Sequence, residues 1–197
     1  LAEAGADVAI TGRILEKAKE AAYAITVETR RNTTGFACDV RYEDQVVALV
    51  EAVLAEYGKI DILVNNAGNV VSTPENNPIE RRPLGEWEFT IGVNLTGLFL
   101  CSKHVIAKAM MPAGHGNIVN IGSVAGMMGK DHRVYDGTTM GGVTIDYAAA
   151  KGGVINMTRE MACSLAPYHI RVNCISPGGF SRNQPERFVE QYNYLVP

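Results

Sequence analysis

Disulfide and zinc chemistry find little to work with in this chain. Its four cysteines, Cys38, Cys101, Cys163 and Cys174, include no Cys-x-x-Cys pair. That excludes a disulfide scaffold and the usual zinc or redox spacings. The cysteines lie mostly in apolar segments and are expected to be reduced core residues of a cytoplasmic protein. His104, His115, His132 and His169 likewise lack zinc-ligand spacing. There is no basic block and the net charge is -3, which excludes nucleic acid as an obvious partner. No apolar run of membrane-spanning length and no signal-peptide pattern is read, so no membrane partner is expected. What is present suits one globular domain: 197 residues, 47% hydrophobic and 20% charged.

Short apolar runs alternate with helical patterns. Residues 7–11 read as a strand ending at Gly12-Arg13, and residues 14–30 as a helix with Leu15, Ala18, Ala21 or Ala22, and Ile25 on one face. A strand at 35–38 ends at Asp39. Residues 43–57 are amphipathic through Val46, Val47, Val50, Val53 and Leu54, and a strand at 60–64 runs into Asn65-Asn66-Ala67-Gly68. A polar loop at about 70–84 carries Pro74, Pro78 and Pro83, and one long helix is predicted over 85–109. A strand at 117–121 ends at Gly122-Ser123, and a Gly-rich segment fills 124–142. A helix over 145–165, a strand over 170–175 and a short helix over 186–194 complete the chain. Apolar strands between helices predict a parallel, doubly wound α/β sheet in a single domain over residues 1–197. The first five residues read as the last turn of a helix, and residues 194–197 stop without a terminal element. The sequence is therefore expected to be a piece of a longer chain.

In such a sheet, ligands bind beyond the carboxyl ends of the strands. Arg13, Asp39, Asn65, Ser123 and Pro177 all follow strands and so share that edge. Tyr147 and Lys151 are four apart, one turn from each other on one helical face. An ammonium beside a phenol favours the phenolate, so the phenol pKa is expected to fall from about 10 toward the working pH of a general acid/base. Each residue also has a plainer reading: Ser123 as a turn cap, Asn94 and the Tyr147–Lys151 pair as polar groups on helix faces, Arg13 as a surface residue.

In order, Asp39-Val40, Asn65-Asn66-Ala67-Gly68, Asn94, Ile121-Gly122-Ser123, Tyr147-x-x-x-Lys151 and Pro177-Gly178 resemble the short-chain dehydrogenase/reductase family. The likeness runs over essentially all 197 residues and implies a Rossmann-like NAD(P)-dependent oxidoreductase. It implies that Tyr147 exchanges a proton with the substrate oxygen. Lys151 would tune Tyr147 and hold the nicotinamide ribose, Ser123 would hold the substrate oxygen, and Asn94 would support a water near Lys151. Asp39 would meet the adenine amino group with Val40 beside the ring, and Asn65, Ala67 and Gly68 would line the adenosine ribose. Pro177 and Gly178 would hold the carboxamide, with Phe180 where the family often has a β-branched residue and Arg182 where it often has Thr. Arg13 follows its strand with no acid beside it. It would pair with a 2′-phosphate, which favours NADP over NAD. The family's first strand and Gly-rich turn have no counterpart here. The isolated stretch is accordingly expected to be unstable and to bind cofactor poorly.

Ser123 and Tyr147 are 24 residues apart, about twice the family's usual spacing. The excess at 129–138 is polar. It either borders the pocket, suiting a polar or acidic substrate such as a sugar acid, or is a solvated loop. Two substrate readings follow from the resemblance: a polyol or sugar-acid dehydrogenase similar to gluconate 5-dehydrogenases, or a 3-oxoacyl-thioester reductase. A non-catalytic dinucleotide-binding regulator is a further alternative, but it would be expected to lose Tyr147 or Lys151. The resemblance also implies a homotetramer built on the helices of Asn94 and Tyr147, where Ala148, Ala149, Gly152 and Gly153 permit close packing.

Overall fold

The computed structural model describes residues 1–72, 78–181 and 183–195, so Pro74, Arg182, Val196 and Pro197 lie outside the described residues. Strands and helices alternate as the apolar pattern requires. The order is β1 (Val8–Gly12), α1 (Leu15–Thr29), β2 (Thr33–Ala37), α2 (Glu43–Tyr57), β3 (Ile62–Asn65), α3 (Leu84–Ala113), β4 (Gly116–Ile121), α4 (Ile145–Leu165), β5 (Ile170–Ile175) and α5 (Glu186–Leu195).

Every strand pair is parallel. β1 runs beside β2 with Val8 opposite Thr33. β4 lies between β3 and β5, with Ile62 opposite Asn117 and Gly116 opposite Ile170. The parallel α/β architecture expected from the pattern is therefore observed. It differs in one respect: among the described residues the strands form two ladders, β1-β2 and β3-β4-β5, and not one continuous sheet. Ile62 and Val64 of β3 are 42% and 39% exposed.

The helices bury the faces their spacing marks. Ala18 and Ala22 of α1 are buried, and so are Val46, Val50 and Val53 of α2. At Gly35 a Cβ would stand 2.4 Å from the backbone of Ala18, so only glycine lets α1 lie this close to β2. α2 contributes Val46 and Val50 to a core shared with Val40, Leu100, Met110 and Ile118. Val40 reaches under α3, where a Cβ on Gly97 would lie 2.5 Å from its Cγ2.

α3 departs from the expected single α-helix over 85–109. It widens into π-helical turns at Gly92–Thr96 and Ile106–Met110. A π turn adds a residue to the turn and re-aims the side chains around it, and the first one carries Asn94. The membrane reading also needs correction, because α3 is 30 residues long and one window reaches a mean hydropathy of 1.3. Length and composition alone would permit a span. Leu98, Leu100, Val105 and Met110 are buried in this chain's own core with Thr90, Asn94 and Ser102, while Leu84, Trp87 and Phe99 of the same helix are exposed.

The irregular segments hold short 3-10 turns at Ile79–Arg81, Val124–Gly126 and His132–Tyr135. All four cysteines are free, but Cys38 alone is fully buried and Cys163 is exposed, so the core reading fits only part of the set. Burial pushes the Cys38 thiol up to about 11 and Cys101 up to about 12, which keeps both protonated and unreactive.

Candidate active site

The carboxyl ends of β3, β4 and β5 and the first turns of α4 meet around one buried cation. Lys151 is 5% exposed and donates from Nζ to the Ile121 carbonyl at 2.7 Å, which fastens α4 to the end of β4. Its Nζ lies 5.6 Å from the centre of the Tyr147 ring. Burial holds the ammonium's pKa below its ordinary value, so Lys151 releases a proton more readily than a surface lysine. A Cβ on Gly68 would stand 3.1 Å from Asn94 Oδ1 and 3.9 Å from Lys151 Nζ, so Asn94 and Lys151 flank the same glycine. The fold thus brings Asn94, Tyr147 and Lys151 together.

Ser123 stands two residues beyond Ile121. Its Oγ accepts from the Ala125 amide at 3.1 Å, so the hydroxyl caps the Val124–Gly126 turn and keeps its own hydrogen free to donate. That turn rests directly on α4. A Cβ on Gly126 would come within 2.4 Å of the Lys151 carbonyl carbon and 2.6 Å of the Gly152 nitrogen. The loops after β4 and β5 are tied together as well. Gly122 N donates to Ile175 O at 2.8 Å and Val124 N to Pro177 O at 3.1 Å, which places Pro177 and Gly178 beside Ser123 along the edge.

Asn94 is 1% exposed and its side chain is fully engaged. Nδ2 donates to the carbonyls of Asn69 at 2.6 Å and Thr90 at 2.9 Å, and Oδ1 accepts from the Asn69 amide at 3.3 Å. These bonds spend the side chain on holding the loop after β3. Asn65 also points inward: its Nδ2 donates to Ser102 Oγ at 3.0 Å and Asn120 Oδ1 at 2.9 Å, and Asn120 Nδ2 donates on to Thr158. Its side chain therefore cross-braces β3, β4, α3 and α4, leaving backbone for any ligand contact. Val40, Asn65 and Ala67 line one small recess with Gly97, Leu98 and Cys101.

At the end of β2, Asp39 is held by a partner that the sequence reading missed. Arg41 donates from Nε at 3.0 Å and from Nη2 at 2.6 Å to the two Asp39 oxygens. This two-point contact, with Arg13 adding its charge from farther off, holds the Asp39 carboxyl below the usual carboxylate range. The Arg41 guanidinium also lies 4.6 Å from the Phe89 ring centre. The Asp-x-Arg spacing was the available signal. Arg13 and Phe180 are exposed, and the Phe180 carbonyl accepts from Gln184.

The inserted segment 129–138 docks on α5. Tyr135 stacks on Phe188 at 5.5 Å, and Phe188 lies 5.7 Å from Tyr192. Arg187 and Gln191 both donate to the Asp136 carbonyl, at 2.9 and 3.3 Å. Tyr192 OH accepts from the Gly179 amide at 3.1 Å, which links the insertion through α5 to the loop after β5.

This arrangement can move a proton at Tyr147, donate a hydrogen bond from Ser123 and present a buried ammonium beside Tyr147 and Asn94. Known proteins resemble the chain over most of its length. A family model described as short chain dehydrogenase matches residues 1–192. The cis-4-hydroxycyclohexanecarboxylate dehydrogenase of Sinomonas cyclohexanicum is 37% identical over 178 residues, covering 90% of this chain and 65% of that protein. Among solved structures, an NAD+-bound xylitol dehydrogenase is 30% identical with a TM-score of 0.80, covering 98% of this chain and 66% of that one. A gluconate 5-dehydrogenase from Burkholderia cenocepacia J2315, in complex with NADP and tartrate, is 34% identical with a TM-score of 0.78, covering 100% and 68%. The chain spans between about half and two thirds of the length of the first curated relatives it matches.

Proposed function

Because the chain belongs to the short-chain dehydrogenase family, we propose that the whole protein moves a hydride between a nicotinamide dinucleotide and a secondary alcohol or its ketone. The observation that carries this reading is the buried Lys151, bonded to Ile121 O and flanked by Tyr147 and Asn94. A bound nicotinamide ring supplies or accepts the hydride. Every other step falls to the chain's own groups.

Tyr147 gives its phenolic proton to the substrate oxygen during reduction and takes it back during oxidation. The Lys151 ammonium stabilises negative charge that develops on that phenol oxygen, and its lowered pKa suits it to pass a proton onward. Ser123 donates its free hydroxyl hydrogen to the substrate oxygen, where charge builds up. Asn94 fixes the loop at Asn69 that walls this space.

The residues at the strand ends fit a dinucleotide. Val40 and Ala67 offer a small apolar recess, Gly68 admits close backbone approach, and Pro177-Gly178 lies beside Ser123. Arg13, exposed at the end of β1 without an acid at its own strand end, supports NADP over NAD. Asp39 meets an adenine amino group only with the lone pairs that Arg41 leaves free. Xylitol, gluconate and cis-4-hydroxycyclohexanecarboxylate dehydrogenases among the relatives support a polyol, sugar acid or cyclic hydroxy acid as substrate, and 3-oxoacyl-(acyl-carrier-protein) reductases among them support a 3-oxoacyl thioester. Small residues on α4 suit association of copies into a tetramer, and the four free thiols suit the cytoplasm.

Turnover of NADPH and NADH by the whole protein, over a panel of polyols, sugar acids, cyclic hydroxy acids and 3-oxoacyl thioesters, tests the reading. The expected result is activity on the first three classes with NADPH preferred. Activity confined to thioesters would move the substrate assignment, and none with any secondary alcohol or ketone would end the dehydrogenase reading.

A further inference from the structure

An arginine just ahead of α3 is buried against the residue before Tyr147. Arg82 precedes α3, yet its side chain is 3% exposed, and Asp146, the residue before Tyr147, is 0% exposed. Arg82 donates to Asp146 Oδ2 from Nε at 3.2 Å and from Nη2 at 2.5 Å. Its Nη1 donates to Glu86 Oε2 at 2.5 Å and to the Val71 carbonyl at 2.8 Å. One guanidinium therefore joins the loop after β3, the first turn of α3 and the first turn of α4.

The same junction reaches Asn94 by two routes. Through the loop, Val71 lies two residues from Asn69, which Asn94 holds by both backbone groups. Through the helix, the Thr90 carbonyl accepts from Asn94 Nδ2, while the Thr90 and Thr144 hydroxyls are buried beside Asp146. Asp146 Oδ1, Thr90 Oγ1 and Thr144 Oγ1 have no hydrogen bond of good geometry, so the ion pair is the firm contact of this cluster. Burial raises the Asp146 pKa, but Arg82 and the two hydroxyls outweigh it and hold the carboxyl below its ordinary value.

A buried ion pair is a costly way to fasten two segments, because both charges leave water. A first-turn acid placed only for the helix dipole would sit at the surface. We propose that Arg82 and Asp146 are positioning residues for Tyr147: their buried pair fixes the first turn of α4, and so the phenol, against the loop and helix that carry Asn69 and Asn94. The proposal rests on Tyr147 being the proton-transfer group, and misplacing such a group by about 1 Å costs roughly 100-fold in rate.

Asp146→Asn and Arg82→Lys in the whole protein test it, with the exposed Arg81→Gln as control. Asp146→Asn keeps the shape and removes the charge; Arg82→Lys keeps the charge and removes the fork. For Asp146→Asn, kcat should fall about 10- to 100-fold while cofactor affinity stays within about twofold. Arg82→Lys should fall between that variant and the wild type. Amides of residues 70–72 and 147–151 should exchange with deuterium about tenfold faster, with β5 amides unchanged. If Asp146→Asn does not fold, Arg82→Lys carries the same measurements. A folded variant with wild-type exchange at 147–151 and kcat within about twofold of wild type overturns the proposal. A wild-type protein inactive on every substrate removes the dehydrogenase reading and this catalytic role with it; the exchange data then show only whether the pair orders the turn.

Discussion

Two attachments hold the segments around Tyr147, and they are built from opposite materials. On the side of α3, Arg82 and Asp146 are almost wholly buried, and one guanidinium binds three segments. On the side of α5, Tyr135, Phe188 and Tyr192 form a partly exposed ladder ending at the Gly179 amide. A buried charge pair has essentially one acceptable geometry, since a displaced partner leaves an uncompensated charge in low dielectric. Aromatic faces slide and re-stack at small cost. The first attachment is suited to holding the first turn of α4 still, and the second to letting the 129–138 segment shift.

The sharpest way to break this contrast is to remove the buried cation. Arg82→Ala should destabilise the fold by about 3–5 kcal/mol in urea unfolding, because Asp146 is left charged and buried. A loss well under about 1 kcal/mol would mean that water reaches the site. The acid limb of stability comes next. Asp146 has a folded pKa below its ordinary value of 3.8, so its contribution is fully present above that value and is lost as pH falls through the lower, folded one. Asp146→Asn should therefore flatten the stability–pH curve below about 4, and an unchanged acid limb would contradict the assignment. On the other side, Tyr135→Ala should cost about 1 kcal/mol and raise the substrate KM several-fold, with kcat little changed. Unchanged KM across the substrate panel would place the insertion away from the substrate. Smallest is Tyr192→Phe, which removes one hydrogen bond to the Gly179 amide and should cost about 1 kcal/mol or less, because water can take its place. A loss as large as that of Arg82→Ala would erase the distinction between the two attachments.

The same contrast explains what the sequence could reveal. Local periodicity is carried by neighbours in the chain. The amphipathic spacing of Val46, Val50 and Val53 therefore marked α2 at its observed bounds, and the apolar run at 170–175 marked β5. The strand-end residues Asp39, Asn65, Ser123 and Pro177 were placed at the carboxyl edge for the same reason. Hidden were contacts between residues far apart. Arg82 and Asp146 are 64 positions apart, and nothing local distinguishes a buried arginine from a solvated one. The π turn under Asn94 was hidden because an extra residue in one turn barely disturbs the helical spacing. Asn65 read as a ligand contact because its motif says nothing of which way the side chain turns; it turns into the core.

At the centre of all this stands the claim that Tyr147, held by its neighbours, moves the substrate's proton. Tyr147→Phe in the whole protein tests it most directly, because it removes one oxygen and keeps the ring beside Lys151. Turnover should fall by roughly 100- to 10,000-fold while NADPH binding, read by fluorescence titration, stays within about twofold of wild type. Turnover within about tenfold of wild type would contradict the claim and hand the proton to another group.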